Sequence, residues 1–289
     1  MRIALIGATG QLGSDLLPRL HAAGHDVLPL GHTDIEISDA ERVASRLEPL
    51  QPQLVINTAA YNLVDKAEDE PDVAYAVNGL GPRNLARFCE QQAVALLQIS
   101  SDYVFGLEGY DTRQGYRESD LPGPMGAYGL SKLAGEYFVR SECSRSFVVR
   151  TCGLYGVAAL RGKGKGNFVE TMLRLGRERK QLRVVNDQHC TPTSTADLSE
   201  ALTRLIETDS YGLYHATNEG QTTWCELARG IFQWTQMDVE VIPVTTAEYG
   251  TKARRPEFSV LNCGKLAAIL GTPLPDWHDA LSRYLRARG

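Results

Sequence analysis

The chain has no long apolar run, no close cysteine pair and no block of like charge. Each absence removes a class of protein. No stretch approaches the roughly 20 apolar residues of a membrane-spanning helix, so no membrane association is expected. Net charge is −5, with acidic and basic residues interspersed. That argues against a general binder of nucleic acid or anionic membranes. The one basic tract, Arg161-Gly162-Lys163-Gly164-Lys165-Gly166, reads equally as a plain loop or as one that touches a phosphate. Six scattered cysteines (Cys89, Cys143, Cys152, Cys190, Cys225, Cys263) form no C-x-x-C motif. They read as reduced thiols. The apolar start runs into a glycine turn rather than a cleavage site, so the expected location is the cytoplasm. The histidines show no metal-ligand spacing, and no metal site is expected. No internal repeat or low-complexity segment is present.

What is there begins at the first residue. Ile3 to Ile6 is an unbroken apolar run, as in a strand buried on both faces of a parallel sheet. Gly7, Gly10 and Gly13 follow at G-x-x-G-x-x-G spacing, and Gln11 to His21 carries Leu12, Leu16, Leu17 and Leu20 on one helical stripe. Strand, glycine turn and helix start make a phosphate cradle, because the missing Cβ atoms let backbone approach a pyrophosphate at the helix N-terminus. Gly7, Thr9, Gly10, Gln11, Leu12 and Gly13 are therefore candidate cofactor-binding residues. The bland alternative is a tight turn of any doubly wound fold.

The rest of the chain alternates. Asp26 to Leu30 reads as a second strand, with Pro29 awkward inside it. No carboxylate stands directly after Leu30, where NAD-specific proteins hold the ribose 2′-hydroxyl; Asp34 lies further along. This leaves room for a 2′-phosphate and favours NADPH, with NADH possible. Glu36 and Ile37 belong to the same side of the cofactor. Ser38-Asp39-Ala40-Glu41 reads as a capping box opening a helix to about Glu48. Leu54 to Asn57 is the third strand, and the small residues Ala59 and Ala60, with Tyr61, follow where a cofactor passes close to backbone. Pro71 to Val77 and Gly81 to Gln91 read as one helical region bent around Gly79 to Pro82. Ala95 to Ser100 is a strand, residues 106 to 127 a long active-site loop, Tyr128 to Glu142 a helix and Phe147 to Thr151 a strand. The expected fold is α/β: a Rossmann-type doubly wound parallel sheet over residues 1–151, then a smaller α/β substrate-binding domain over 152–289. Parts of 181–217 are expected to pack back on the first domain.

Chemistry enters with Tyr128-Gly129-Leu130-Ser131-Lys132. Residues four apart share a helix face. An ammonium beside a phenol favours the phenolate and lowers the phenol pKa from about 10, which suits acid–base work. Ser101 ends a strand at the carboxyl edge of the sheet, where open α/β folds bind ligands, and a hydroxyl there can hold a carbonyl oxygen. Ser101, Tyr128 and Lys132 beside a dinucleotide cradle read as a reductase site, with Lys132 also on the ribose. Taken singly, each is as readily a capping serine, an exposed tyrosine or a solvated lysine.

The chain resembles the dTDP-4-dehydrorhamnose reductase family of the extended short-chain dehydrogenases/reductases over nearly its full length. The segments that carry the resemblance are Gly7 to Gly13, Asn57 to Tyr61 with Val64 to Glu68, Val77-Asn78, Ser100 to Phe105 and Tyr128 to Glu136. Asn167 to Leu175, Asp187-Gln188 with Pro192-Thr193, Gly212 to His215 and Arg255-Pro256 continue it. The resemblance implies reduction of the C4 keto group of a nucleotide-linked 6-deoxy-hexulose by a monomer or homodimer. It implies substrate contacts at Ser101, Asp102, Tyr103, Gly153, Asn167, Phe168 and Arg255. The chain departs from the family at Arg150-Thr151-Cys152-Gly153, where the family usually reads R-T-S-W. Glycine removes an aromatic wall, so a wider sugar pocket is expected unless Tyr61, Tyr103 or the 106 to 127 loop fills it. Asp15 matches one ligand of a Mg²⁺ site found in some members, but Ala196 stands where another ligand is expected, so no such site is expected. The alternatives are a reductase of a different nucleotide ketosugar, an epimerase or dehydratase of the same superfamily, and a non-catalytic regulator resembling the partner of methionine adenosyltransferase. Intact Ser101, Tyr128 and Lys132 favour an enzyme.

Overall fold

The first half alternates strands with helices: β1 (Arg2–Ile6), α1 (Gln11–Ala22), β2 (Asp26–Leu30), α2 (Ala40–Leu47), β3 (Leu54–Asn57), the short α3 (Val64–Ala67) and α4 (Pro71–Tyr75), α5 (Gly81–Gln91), β4 (Ala95–Ser101), α6 (Ala127–Glu142) and β5 (Ser146–Thr151). It continues with β6 (Leu154–Tyr155), α7 (Phe168–Glu178), β7 (Gln181–Val185), β8 (His189–Cys190), β9 (Thr193–Ser194), α8 (Thr195–Leu205), β10 (Gly212–His215), β11 (Thr222–Thr223), α9 (Trp224–Trp234), β12 (Glu240–Val244), α10 (Thr246–Tyr249), α11 (Gly264–Leu270) and α12 (Trp277–Arg288). The structure is a computed structural model that describes residues 1–107, 114–157 and 166–288. Most of the basic tract, residues 161–165, and residues 108–113 of the long loop lie outside the described residues.

Six strands form one sheet in the order β10-β5-β4-β3-β1-β2, every neighbouring pair parallel. Alternation along the buried strands divides the core. Ile3 and Leu5 of β1 face α1 and α8, with Leu12, Leu16, Leu198 and Leu202. Ala4 and Ile6 face α2 and α5, with Val43, Leu47 and Leu85. Each fully buried leucine contributes about 1.5–3 kcal/mol relative to exposure. Pro29 is tolerated because β2 is the edge strand, with a neighbour on one side only. The chain reverses direction across the sheet between β1 and β3, and such a switch point leaves a crevice at the carboxyl ends of the strands.

A third core joins α7, α9 and α12 to a two-stranded parallel sheet of β7 and β12. β12 has no counterpart in the sequence reading: Pro243 interrupts its pattern, and its partner β7 lies far away in the chain.

Three local expectations change. Ser38 does not cap α2; Asp39 does, accepting from the Glu41 and Arg42 N–H groups at 3.0 and 3.1 Å. The Ser38 hydroxyl instead donates to Glu36 at 2.8 Å, and the charged carboxylate is the acceptor nearer the helix end. The bend expected at Gly79 to Pro82 is a π-helical turn over Ala76–Leu80. Of the long active-site loop, Tyr116 is buried and stacks on Phe105 at 4.1 Å between ring centroids, so that part belongs to a core cluster.

Candidate active site

A cleft of about 550 Å³ opens along the carboxyl edge of the sheet. Its floor at the switch point is backbone. Gly7 has φ of +80°, and a Cβ there would lie 2.8 Å from the Ala59 nitrogen. A Cβ on Gly13 would lie 2.7 Å from the Ala8 Cα. Gly13 therefore seats α1 against the turn and does not itself line the cleft, whereas Gly7, Thr9, Gly10, Gln11 and Leu12 do. No side chain caps α1 and its first turn holds no acidic residue, so its N–H groups are open to an anion.

Further along, Glu36 and Ile37 line the cleft after β2. Two hydrogen bonds from Ser38 hold the Glu36 carboxyl below its ordinary pKa. The gap after Leu30 is narrower than the sequence suggests: Asp34 folds back and accepts from the Gly31 N–H at 2.7 Å. Its carboxylate thus stands at the end of β2 after all, because a tight turn brings together residues three apart. Ala59, Ala60 and Tyr61 line the opposite wall. Tyr61 backbone exchanges two bonds of 2.9 Å with the Asn78 side chain, which also donates to the Ser131 hydroxyl at 3.0 Å. The π turn presents Asn78 to both; π turns recur at functional sites.

At the far end Ser101, Tyr128 and Lys132 share the cleft. β4 ends at Ser101, and α6 starts at Ala127, so strand end and helix start bring the three together. Tyr128 is hydrogen-bonded to Ser101. The Ser101 hydroxyl also donates to Asp102 at 3.1 Å. The Lys132 ammonium is buried and donates to the Ile99 carbonyl at 2.7 Å. Burial pushes its pKa down to about 8, with Glu136 opposing. Burial also pushes the Tyr128 phenol up to about 12, against the bond to Ser101. The sequence expectation of a lowered phenol pKa is overturned: desolvation exceeds any help from the ammonium. The phenol keeps its proton at neutral pH and can give it away.

Behind these groups lies a buried network. Glu136 accepts from Ser100 at 2.5 Å and from Arg150 at 2.7 Å, and the Arg150 Nη1 meets His215 Nε2 at 3.3 Å. Burial and Arg150 together drive the His215 pKa down to about 3, so the ring is neutral and its Nδ1–H donates to the Tyr116 carbonyl at 3.0 Å.

The substrate candidates are dispersed. Gly153 and Asp102 line the cleft. Asp102 is buried and accepts from Ser259 at 2.6 Å. Tyr103 meets Tyr128 edge-on at 5.9 Å but faces a smaller depression beside Met125 and Pro256. Arg255 donates to Asp65 at 2.7 Å and to Tyr103, off the cleft. Asn167 caps α7 and donates to Gln11 at 3.1 Å. Phe168 packs on Trp224 at 4.8 Å. At Gly153 φ is +52°, and a Cβ there would lie 3.2 Å from both the Trp224 ring and the Pro192 Cα, so the space directly beside it is taken. The Trp224 ring of α9 therefore stands beside Gly153, while Tyr61 is an aromatic that lines the cleft itself. Thr58, expected beside the cofactor with Ala59 to Tyr61, lines the cleft, and Asn62, Thr151 and Cys152 line it too; Thr151 ends β5 and Cys152 follows it. Among the described residues no cluster of metal-binding side chains occurs, and no helix is long and apolar enough to cross a membrane.

Comparison with known proteins agrees with this geometry. The model of the RmlD substrate binding domain matches residues 1–288. The chain is 38% identical over 287 residues to the spore coat polysaccharide biosynthesis protein SpsK of Bacillus subtilis (strain 168), covering 99% of this chain and 98% of that one. It is 40% identical over 293 residues to the dTDP-4-dehydrorhamnose reductase of Streptomyces griseus, covering 99% and 93%. The crystal structure of dTDP-4-dehydrorhamnose reductase from Bacillus anthracis str. Ames, in complex with NADP, is similar at a TM-score of 0.92 and 39% identity, with 99% of each chain covered. On full-length similarity of sequence and fold, the chain belongs to the dTDP-4-dehydrorhamnose reductase family of NAD(P)-dependent oxidoreductases.

Proposed function

We propose that this enzyme reduces the C4 keto group of dTDP-4-dehydrorhamnose to give dTDP-L-rhamnose with NADPH, NADH also being used; the support for NADPH is the NADP complex of the similar Bacillus anthracis structure, since the Asp34 carboxylate fills the gap after Leu30. The observation that carries the reading is one cleft holding both an uncapped, glycine-lined helix start and the Ser101–Tyr128–Lys132 group. The residues fit a dinucleotide: Gly7, Thr9, Gly10, Gln11 and Leu12 line the cleft at a helix start with no side-chain cap and no acidic residue in its first turn. Gly7 to Leu12 would hold the pyrophosphate, Glu36 and Ile37 the adenosine end, and Ala59 to Tyr61 the wall beside it. Bound NADPH supplies the hydride that reduces the sugar carbonyl.

The remaining steps belong to the chain. Ser101 and Tyr128 hold the C4 oxygen, replacing their present bond to each other. Tyr128 delivers its phenolic proton to that oxygen as the alcohol forms. Lys132, held on the Ile99 carbonyl, offers its remaining N–H groups to the ribose and stabilises the phenolate left on Tyr128. Tyr103 and Arg255, linked to each other beside Tyr128, carry the nucleotide-sugar side.

A second reading, a reductase of another nucleotide-linked 4-keto-6-deoxy sugar, is favoured by the similarity to the spore coat polysaccharide biosynthesis protein SpsK. NADPH oxidation measured against a panel of such sugars separates the two. Turnover with dTDP-4-dehydrorhamnose at least tenfold above the others is the expected result. Turnover only with another nucleotide sugar selects the second reading, and none with any sugar rejects both.

A further inference from the structure

The cleft contains one polar group with nothing to do. Thr151 is the last residue of β5 and only 4% exposed, and its Oγ1 has no hydrogen-bond partner among the described residues. Buried hydroxyls are nearly always bonded, and leaving one unpaired costs free energy. Of the buried side-chain atoms in this state, Thr151 Oγ1 alone belongs to a residue lining the cleft.

Its position narrows what could satisfy it. Thr151 is in register with Ser101 on the adjacent strand β4, so the two hydroxyl-bearing residues end neighbouring strands. Arg150 turns toward Glu136 on α6. Strand alternation therefore sends Thr151 to the opposite face, the one that carries α1 and the glycine cradle. A dinucleotide whose pyrophosphate rests at Gly7 to Leu12, and whose reactive ring reaches Tyr128, brings its nicotinamide to the end of the cleft where Thr151 lies. The ring carries a carboxamide, with one acceptor oxygen and two N–H donors. Within a protein wall that group needs partners, and a hydroxyl can serve either end.

We propose that the Thr151 hydroxyl anchors the nicotinamide carboxamide and so fixes the ring's rotation at the reacting end of the cleft. The inference rests on the dinucleotide reading above. Thr151 acts as a positioning residue: it touches the cofactor away from the reacting carbon.

The test compares wild type with Thr151→Val, which keeps the branched shape and deletes the hydroxyl, and Thr151→Ser, which keeps the hydroxyl. Binding of NADPH and of 2′-phospho-ADP-ribose, which lacks nicotinamide, is measured by calorimetry without sugar. Losing one such hydrogen bond corresponds to about a three- to tenfold weaker affinity. The expected result is that loss for NADPH in Thr151→Val, unchanged binding of 2′-phospho-ADP-ribose, and near wild-type behaviour in Thr151→Ser. The melting temperature of ligand-free Thr151→Val should equal or exceed that of wild type, since an unpaired buried hydroxyl is gone. Unchanged NADPH binding, equal losses for both ligands, or a defect confined to the KM of the sugar would each overturn the assignment. Wild-type protein that binds neither NADPH nor NADH would overturn the dinucleotide reading itself.

Discussion

The two ends of the site are built differently. At the end proposed for the dinucleotide, Gly7, Thr9, Gly10, Gln11, Leu12, Glu36, Ile37, Ala59, Ala60 and Tyr61 all line one cleft. Of the residues proposed for the sugar, Tyr103, Asn167, Phe168 and Arg255 lie off it, with their side chains engaged by Tyr128, Gln11, Trp224 and Asp65. The first end is made of backbone at strand ends and one helix start. Its geometry is local and follows from strand, turn and helix. The second is made of side chains contributed by segments more than 100 residues apart, as in the bond between Arg255 and Asp65, and pairing among them decides where each one points.

The largest effect expected is at the junction of the two ends. Tyr128→Phe deletes the proton donor and should lower turnover at least a hundredfold while NADPH affinity changes less than twofold. Steady-state rates beside direct cofactor titration check both halves, and retained turnover would remove Tyr128 from the chemistry.

Gly153→Trp tests the sugar end. The backbone there is left-handed and the space is held by Trp224 and Pro192. Such a conformation costs a non-glycine residue about 1–3 kcal/mol. The variant should melt lower and lose at least tenfold in kcat/KM for the sugar. Improved turnover would mean that the space beside Gly153 is not taken.

Arg255→Ala sharpens the division between the ends. Arg255 ties Asp65 to Tyr103, so its removal should raise the KM for the nucleotide sugar about tenfold, the usual scale for a charge-assisted bond. Dinucleotide affinity should stay within twofold. Equal losses at both ends would show that they are not separable.

The smallest effect is one of pH. Lys132 has its pKa lowered to about 8, below an ordinary value near 10.5, so the folded protein releases this proton first as pH rises. Below pH 8 the ammonium is charged in both folded and unfolded chains. Between about 8 and 10.5 the unfolded chain holds more protons, so this group's contribution to stability rises with pH. Under the proposed mechanism activity goes the other way, because the charged form would contact the ribose and support the Tyr128 phenolate. kcat/KM should fall several-fold from pH 7.5 to 9, while Tyr128, near 12, stays protonated throughout. A flat profile to pH 10 would show that Lys132 stays charged.

Particular residues show where reading the sequence succeeds. β1, the turn at Gly7 and the leucine stripe of α1 are readable because each has a period or a backbone demand of its own. Pro29 looked out of place until the strand order put β2 at the edge. Ser38 was a sound cap by spacing, but Glu36 competed for its hydroxyl and Asp39 took the helix end. Both corrections turn on which of several adjacent polar groups wins, and spacing alone does not rank them.

By itself the sequence determined the doubly wound sheet, the glycine turn at the start of α1 and the Tyr128–Lys132 helix face, because periodicity, glycine spacing and i,i+4 neighbours act over a few residues. Only the tertiary structure decided three things. Asp34 returns its carboxylate to Gly31, Trp224 covers Gly153, and burial rather than the nearby ammonium governs the Tyr128 proton. Each depends on what is packed against a group, and packing brings together residues whose separation along the chain carries no signal.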